Sequence, residues 1–70
     1  MTDQHWLLAM PEHTFNCRIV YQTPFGHRRT AHYKTRARFA DAALDVAERL
    51  LHRDKRRKVA RVTYGEAIQQ

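Results

Sequence analysis

The sequence predicts a small α+β domain, in which one helix packs on one face of a mainly antiparallel sheet of three strands. Seventy residues are enough for a single domain, covering 1–70. The stretch Thr35 to Arg53 repeats its apolar residues at spacings of three and four, as an amphipathic helix does. The segments on either side alternate apolar and polar residues, as half-buried strands do. The predicted order is β-β-α-β, and a fourth strand at the N-terminus is the alternative.

The composition favours a folded domain whose core is marginal. Hydrophobic residues make up 43% of the chain, and glycine and proline are scarce, which argues against disorder. A chain of this length buries only about 60% of the surface that its unfolded form exposes. Cys17 is the single cysteine, so an internal disulfide is excluded and we expect a reducing, cytoplasmic location.

The first 13 residues predict an N-terminal arm or a short strand. Trp6, Leu8 and Met10 alternate along this segment until Pro11 interrupts it, and proline is not tolerated in a central strand. The apolar run is too short for a secretory signal or a membrane span. We therefore expect Trp6 to pack on the core, and no contact with a membrane.

Thr14 to Gln22 is the clearest strand. Its odd-numbered residues from Phe15 to Tyr21 are apolar, and its even-numbered residues are mostly polar, which gives the period of two of a strand with one buried face. A turn follows at Thr23-Pro24-Phe25-Gly26, because proline presets the backbone for a turn and glycine permits a positive φ. The second strand is predicted over Arg28 to Lys34.

The register of this hairpin decides which side chains face the helix. Pairing odd with odd residues places Ala31 and Tyr33 on the apolar face, whereas a slip of one residue would bury Lys34. We therefore expect the odd residues to face the helix and the opposite face of the sheet to be basic. The basic side chains of that opposite face are Arg18, Arg28, His32 and Lys34.

The helix is predicted to begin with Thr35 as its N-cap. Asp45 and Arg49 are four residues apart and can form an ion pair. Arg36 and Arg38 would lie in the first turn, where cations oppose the helix dipole. The predicted buried stripe consists of Phe39, Ala43, Val46 and Leu50, flanked by Ala40, Ala47 and Leu51.

Val59 to Tyr64 predicts the third strand, with Ala60, Val62 and Tyr64 facing inward. Gly65 would end the strand, and 66–70 would form a tail. A right-handed crossover places this strand on the free side of the first, so the sheet order is 2-1-3. The second and third strands are then parallel and start at the same end of the sheet. The hairpin tip should therefore lie near the basic loop at 55–58.

Histidines and a cysteine raise the question of a metal site. The spacing of these candidate ligands is superficially like that of a zinc finger, but zinc needs ligands that converge on one point. The register directs Cys17 into the core and His32 away from it, so we expect neither a metal nor another cofactor. No nucleophile has a base placed beside it, and we expect no enzymatic activity. The candidate ligands are His13, Cys17, His27 and His32.

The charge balance indicates an acidic partner. The chain has 13 lysines and arginines against 7 acidic residues, a net charge of +6, and clustered cations of this kind bind phosphates. We expect a non-enzymatic accessory protein that binds nucleic acid. The candidate nucleic-acid-binding residues are Arg18, Arg28, Arg29, His32, Lys34, Arg36, Arg38, Lys55, Arg56, Arg57, Lys58 and Arg61.

A protein-interaction module is the alternative function. A sheet of three strands has free edges that can add a strand or pair with a second copy. In this alternative the chain is a regulator or inhibitor that binds a larger, acidic protein, or it acts as a homodimer. Trp6 and Phe25 are the aromatic residues that such an interface could use.

Overall fold

The computed structural model describes residues 11–70, and it confirms the predicted α+β class and the order β-β-α-β. The arm or strand predicted at the N-terminus, and the packing of Trp6, lie almost entirely outside the described residues. The elements are β1 (His13–Gln22), β2 (Arg28–Ala37), α1 (Ala40–Asp54), a short 3-10 helix (Arg56–Lys58) and β3 (Arg61–Gln69).

The sheet has the predicted order β2-β1-β3, and the central β1 is antiparallel to both neighbours. The odd-with-odd register is confirmed, since Cys17 pairs with Tyr33 and Ile19 pairs with Ala31. The odd-numbered side chains of β1 from Phe15 to Tyr21 lie beneath α1 and are buried. This alternation leaves the even-numbered side chains of β1 and β2 on the opposite side, which we call the open face.

The boundary between β2 and α1 differs from the prediction. β2 continues through Thr35, which pairs with Phe15, and α1 begins only at Ala40, with Phe39 as its N-cap and no side-chain cap. Thr35 is 5% exposed, and its hydroxyl donates to the carbonyl of Ala43 at 3.1 Å. The prediction of Thr35 as N-cap was therefore wrong, because the first residues of β1 offer a strand partner that the helical pattern does not reveal.

The buried stripe of α1 is rotated relative to the prediction. Ala43, Ala47 and Leu51 are buried, whereas Phe39 is 49% exposed and Val46 is 37% exposed. The small alanine side chains let the helix axis approach the sheet closely, and a sheet of three strands covers only a narrow stripe. Within residues 11–70, no helix combines the length and apolar character that crossing a membrane requires.

β3 is longer than predicted and contains a β-bulge. Val20 pairs with Tyr64 and Tyr21 with Val62, so Thr63 is the extra residue, and its hydroxyl donates to the carbonyl of Val20 at 3.1 Å. A bulge shifts the alternation of the strand by one residue. The prediction that Tyr64 faces inward was therefore wrong, because this residue lies beyond the shift and is 50% exposed on the open face.

The end of β3 also differs from the prediction. Gly65 does not end β3 but pairs with Ile19 on the face that α1 covers. A Cβ at Gly65 would lie 3.1 Å from Cδ1 of Leu44, which is tighter than ordinary van der Waals contact. The residues 66–70 were predicted to form a tail, but the strand continues through them up to Gln69. Ile68 is exposed on the open face.

Candidate nucleic-acid interface

The hairpin tip is held by a short set of hydrogen bonds. The amide of Gly26 donates to the carbonyl of Thr23 at 2.9 Å, and the amide of Thr23 donates to the carbonyl of His27 at 2.8 Å. The Thr23 hydroxyl also accepts from the amide of His27 at 3.1 Å. Gly26 has a φ of 84°, a conformation that glycine adopts without steric cost. These bonds fix the tip and leave the Phe25 ring 89% exposed.

The basic segment after α1 is held against the same end of the sheet. The amide of Lys55 donates to the carbonyl of Leu51 and the amide of Lys58 to the carbonyl of Lys55, both at 2.8 Å. The amide of Ala60 then donates to the carbonyl of Gln22 at 2.7 Å, which joins the segment to the last residue of β1. These hydrogen bonds therefore hold the cations of the segment on a short 3-10 turn.

A second contact fixes the end of α1 from which this segment leaves. The hydroxyl of Tyr33 donates to Oδ2 of Asp54 at 3.3 Å, and Nε of Arg53 donates to Oδ1 of the same carboxylate at 3.0 Å. Burial raises the pKa of Tyr33, and the neighbouring Asp54 carboxylate raises it further. Asp54 is thus occupied by two partners next to the basic segment.

The hairpin tip and the basic segment together line one cleft of about 700 Å³. Both elements contribute cations to it, so the predicted proximity of the tip and the loop at 55–58 is confirmed. Among residues 11–70, no acidic side chain lines this cleft. We call it the tip cleft, and its lining residues are Tyr21, Thr23, Pro24, Phe25, His27, Arg29, Thr30, Lys55, Arg57 and Lys58.

The ion pairs lie mostly away from this end of the molecule. Within the described residues, Arg18 pairs with Glu66 at 3.3 Å, Arg36 with Glu12 at 3.8 Å, and Arg49 with Asp45 at 2.7 Å, the last confirming the predicted helical pair. Arg53 pairs with Asp54. The cations that have no carboxylate partner among residues 11–70 are Arg28, Arg29, Lys34, Arg38, Lys55, Arg56, Arg57, Lys58 and Arg61.

Most of these uncompensated cations gather at one end of the sheet. Arg29, Lys55, Arg57 and Lys58 line the tip cleft. Arg28 and Arg61 both pair with Gln22 across the strands, so they flank the tip on the open face. Arg56 belongs to the same 3-10 turn. Lys34 and Arg38 are the exceptions, and the positive potential is therefore concentrated at the tip.

The centre of the open face is a compensated cluster. The hydroxyl of Tyr64 donates to Oε1 of Glu66 at 2.7 Å, and the guanidinium of Arg18 lies 5.5 Å from the Tyr64 ring centroid. The hydrogen bond from Tyr64, followed by that from Arg18, lowers the pKa of Glu66. The same bond to Glu66 raises the pKa of Tyr64, since it favours the neutral phenol. Arg18 is therefore already engaged by an anionic partner.

The structure divides the predicted site residues into separate groups. Seven of them lie at the tip end of the sheet, with Arg28 and Arg61 on its open face, and the rest of the open face holds Arg18, His32, Lys34 and Arg36. Arg36 lies near the far end of β2, and Arg38 lies in the bend before α1. Neither occupies the first helical turn, so the predicted conflict with the helix dipole does not exist. Nε of Arg38 is buried without a hydrogen-bond partner among the described residues.

The candidate metal ligands occupy separate environments. The thiol of Cys17 is buried, 3.4 Å from the Thr35 hydroxyl. The side chain of His32 lies on the open face, and His27 lies in the tip cleft. Over residues 11–70, no three histidine, cysteine or carboxylate side chains come together as a metal site would require.

Six of the ten residues that line the tip cleft were not predicted as site residues, namely Tyr21, Thr23, Pro24, Phe25, His27 and Thr30. Phe25 was predicted as an interface aromatic at the hairpin tip, whereas Tyr21 and Pro24 were assigned to the core and the turn. An apolar aromatic residue in the middle of a turn is unusual in the sequence, and this signal could have identified Phe25. Tyr21 gives no such signal, because its position in the strand is that of a core residue.

No protein-family model, curated protein or solved structure matches the chain. Only the chemistry of the described residues therefore bears on function.

Proposed function

We propose that this protein is a non-enzymatic accessory protein that binds nucleic acid through the tip cleft and the cations around it. One observation carries the proposal: seven cations without a carboxylate partner among residues 11–70 lie at one end of the sheet, around a cleft with no acidic lining residue in that part of the chain. Like charges held together in this way repel one another, and a polyanion relieves that repulsion. Clustered lysines and arginines neutralise the phosphates of nucleic acid and release the counterions bound to them, which favours binding.

The tip cleft is a better candidate than the open face. Arg18 and Arg36 on the open face already have carboxylate partners, so a phosphate would have to compete with these. The cations of the tip cleft have no such competitor among residues 11–70. Exposed surface ion pairs are weak, about 0–1 kcal/mol, but their absence at the tip leaves the full charge available to a ligand.

Fluorescence anisotropy over a salt series tests the proposal. If each of the four cationic residues that line the tip cleft contacts one phosphate, the logarithm of the binding constant falls against the logarithm of salt with a slope of about −3. Lys58→Ala should reduce the magnitude of this slope by about 0.7–0.9. Lys34→Ala is the matched control, because it removes the same charge from the open face and should leave the slope unchanged.

Two results would overturn the proposal. Failure to bind single-stranded or duplex probes at low salt would exclude nucleic acid and leave an acidic protein as the partner of these cations. A slope that changes with Lys34→Ala but not with Lys58→Ala would move the binding surface to the open face. A homodimer through a free sheet edge stays a prediction, which sedimentation over a concentration series tests.

A further inference from the structure

We infer that the tip cleft binds an unpaired nucleotide of a single-stranded nucleic acid, with its base stacked on Phe25. This inference rests on the proposed function and adds the class of nucleic acid to it. It depends on apolar and aromatic features of the cleft that phosphate binding alone does not use. The nucleic acid can be DNA or RNA, because every base has an aromatic face.

The Phe25 side chain is exposed to solvent at the hairpin tip. It is 89% exposed although phenylalanine is among the most apolar of residues. The hydrogen bonds of the turn hold the backbone on either side of Phe25 in place, so the residue stays at the hairpin tip before any ligand binds. Exposed aromatic rings beside cationic grooves are the platforms on which proteins stack single-stranded bases.

The wall of the tip cleft combines apolar and cationic side chains. Pro24 and Tyr21 line the cleft with Phe25, while Lys55, Arg57 and other cations line it as well. An apolar wall beside cations matches a nucleotide, which has an aromatic base and an anionic phosphate. The volume of about 700 Å³ is within the range of pockets that hold small molecules and cofactors, so the cleft can accept a base with its sugar.

A single strand differs from a duplex in the accessibility of its base faces, and from a free nucleotide in its additional phosphates. In a duplex the faces of the bases are covered by their neighbours, and only phosphates and base edges are accessible. A base can therefore lie on Phe25 only where it is unpaired. Arg28, Arg56 and Arg61 lie at the same end of the molecule but do not line the cleft, so a strand that extends beyond the cleft offers them phosphates that a free nucleotide does not.

The experiment uses fluorescently labelled strands of about 15 nucleotides, a length within known single-strand site sizes. The probes are oligo-dT, oligo-U, a duplex of equal length, and an abasic strand that keeps the phosphates but has no bases. We expect the protein to bind both strands with bases more tightly than the duplex and the abasic strand. Phe25→Ala should weaken binding to oligo-dT and oligo-U by roughly 5- to 100-fold, the usual effect of losing one stacking platform.

The abasic strand is the decisive control. Phe25→Ala should leave its affinity unchanged, since no base is present to stack, and should leave the salt slope of every probe unchanged. Phe25→Trp should bind oligo-dT about as tightly as the wild-type protein does, whereas Phe25→Leu should bind it more weakly. Because Phe25 is exposed, these variants should keep the wild-type circular dichroism spectrum, which verifies folding.

The outcomes separate this inference from the proposed function. If the duplex binds as tightly as oligo-dT, or if Phe25→Ala weakens the abasic strand as much as oligo-dT, the stacking inference fails while phosphate binding stands. If no probe binds at low salt, the proposed function itself fails. Equal affinity of Phe25→Leu and wild-type protein for oligo-dT would also refute stacking, because leucine has no aromatic face.

Discussion

The buried hydroxyl of Thr35 provides a direct test of where β2 ends and α1 begins. In the structure this residue is 5% exposed, and its Oγ1 lies 3.1 Å from the Ala43 carbonyl and 3.4 Å from the Cys17 thiol. Thr35→Asp would place a carboxylate in this position. An N-cap accepts aspartate as well as threonine, whereas a core position next to a carbonyl oxygen does not.

The expected magnitudes follow from these contacts. Thr35→Val keeps the shape but removes the donor, and the net loss of one hydrogen bond is about 1 kcal/mol. Thr35→Ser keeps the donor and removes one methyl group, which costs about 1 kcal/mol in transfer and packing. Thr35→Asp buries an uncompensated charge and should cost roughly 3–5 kcal/mol. A chain of 70 residues has a total stability of about 4–10 kcal/mol, so this last variant should lose roughly a third of that stability or more.

Urea titration followed by far-UV circular dichroism measures these differences, since α1 dominates the signal at 222 nm. We expect the unfolding midpoint to fall modestly for Thr35→Val and Thr35→Ser, and to fall several times further for Thr35→Asp. A Thr35→Asp variant with the wild-type midpoint would refute the buried position. It would instead support a helix that begins at Thr35.

Two further predictions concern β3. Gly65→Val should destabilise the fold by about 1–3 kcal/mol in urea titration, because its side chain would overlap the methyl groups of Leu44; a midpoint equal to that of the wild type would contradict this packing. Tyr64→Phe should raise the pKa of Glu66 back toward its usual value of about 4.5 in an NMR titration of the carboxyl carbon, because it removes the principal hydrogen bond. Since the folded pKa of Glu66 is depressed, its small contribution to stability is present above the unfolded pKa and is lost as the pH falls through the folded value. Tyr64→Phe should flatten that loss, and an unchanged Glu66 titration would mean that the hydrogen bond does not form.

The alternation of residues in β1 was enough to predict the hairpin and its register. Moving the register by one residue would have buried Lys34 in place of Tyr33, so burial selects one pairing only. The turn was equally clear, because Pro24 fixes its backbone φ and Gly26 permits a positive φ, and both suit a turn. These features depend on interactions between residues close together in the chain.

The start of α1 and the path of β3 could not be predicted in this way. The segment 35–39 fits both patterns, because Thr35 and Ala37 continue the alternation of β2 while Phe39 also fits the period of the helix. The choice between them is made by the partner strand, which extends to His13. The bulge at Thr63 likewise depends on the pairing with Val20 and has no marker of its own in the sequence.

The sequence by itself determined that this protein is strongly basic and that an aromatic residue, Phe25, stands in a turn. The topology predicted from the sequence brings the hairpin tip near the loop at 55–58, but only the tertiary structure decided which cations line one cleft and which are paired with carboxylates. β2 and β3 flank the same central strand and are both antiparallel to it, so their starting ends meet at one edge of the sheet. Arg29 and Lys58 thereby line the same cleft although they are far apart in the chain. The right-handed crossover rule predicts that they lie at the same end of the sheet, whereas their position around one cleft depends on the bend at the hairpin tip and on the 3-10 turn.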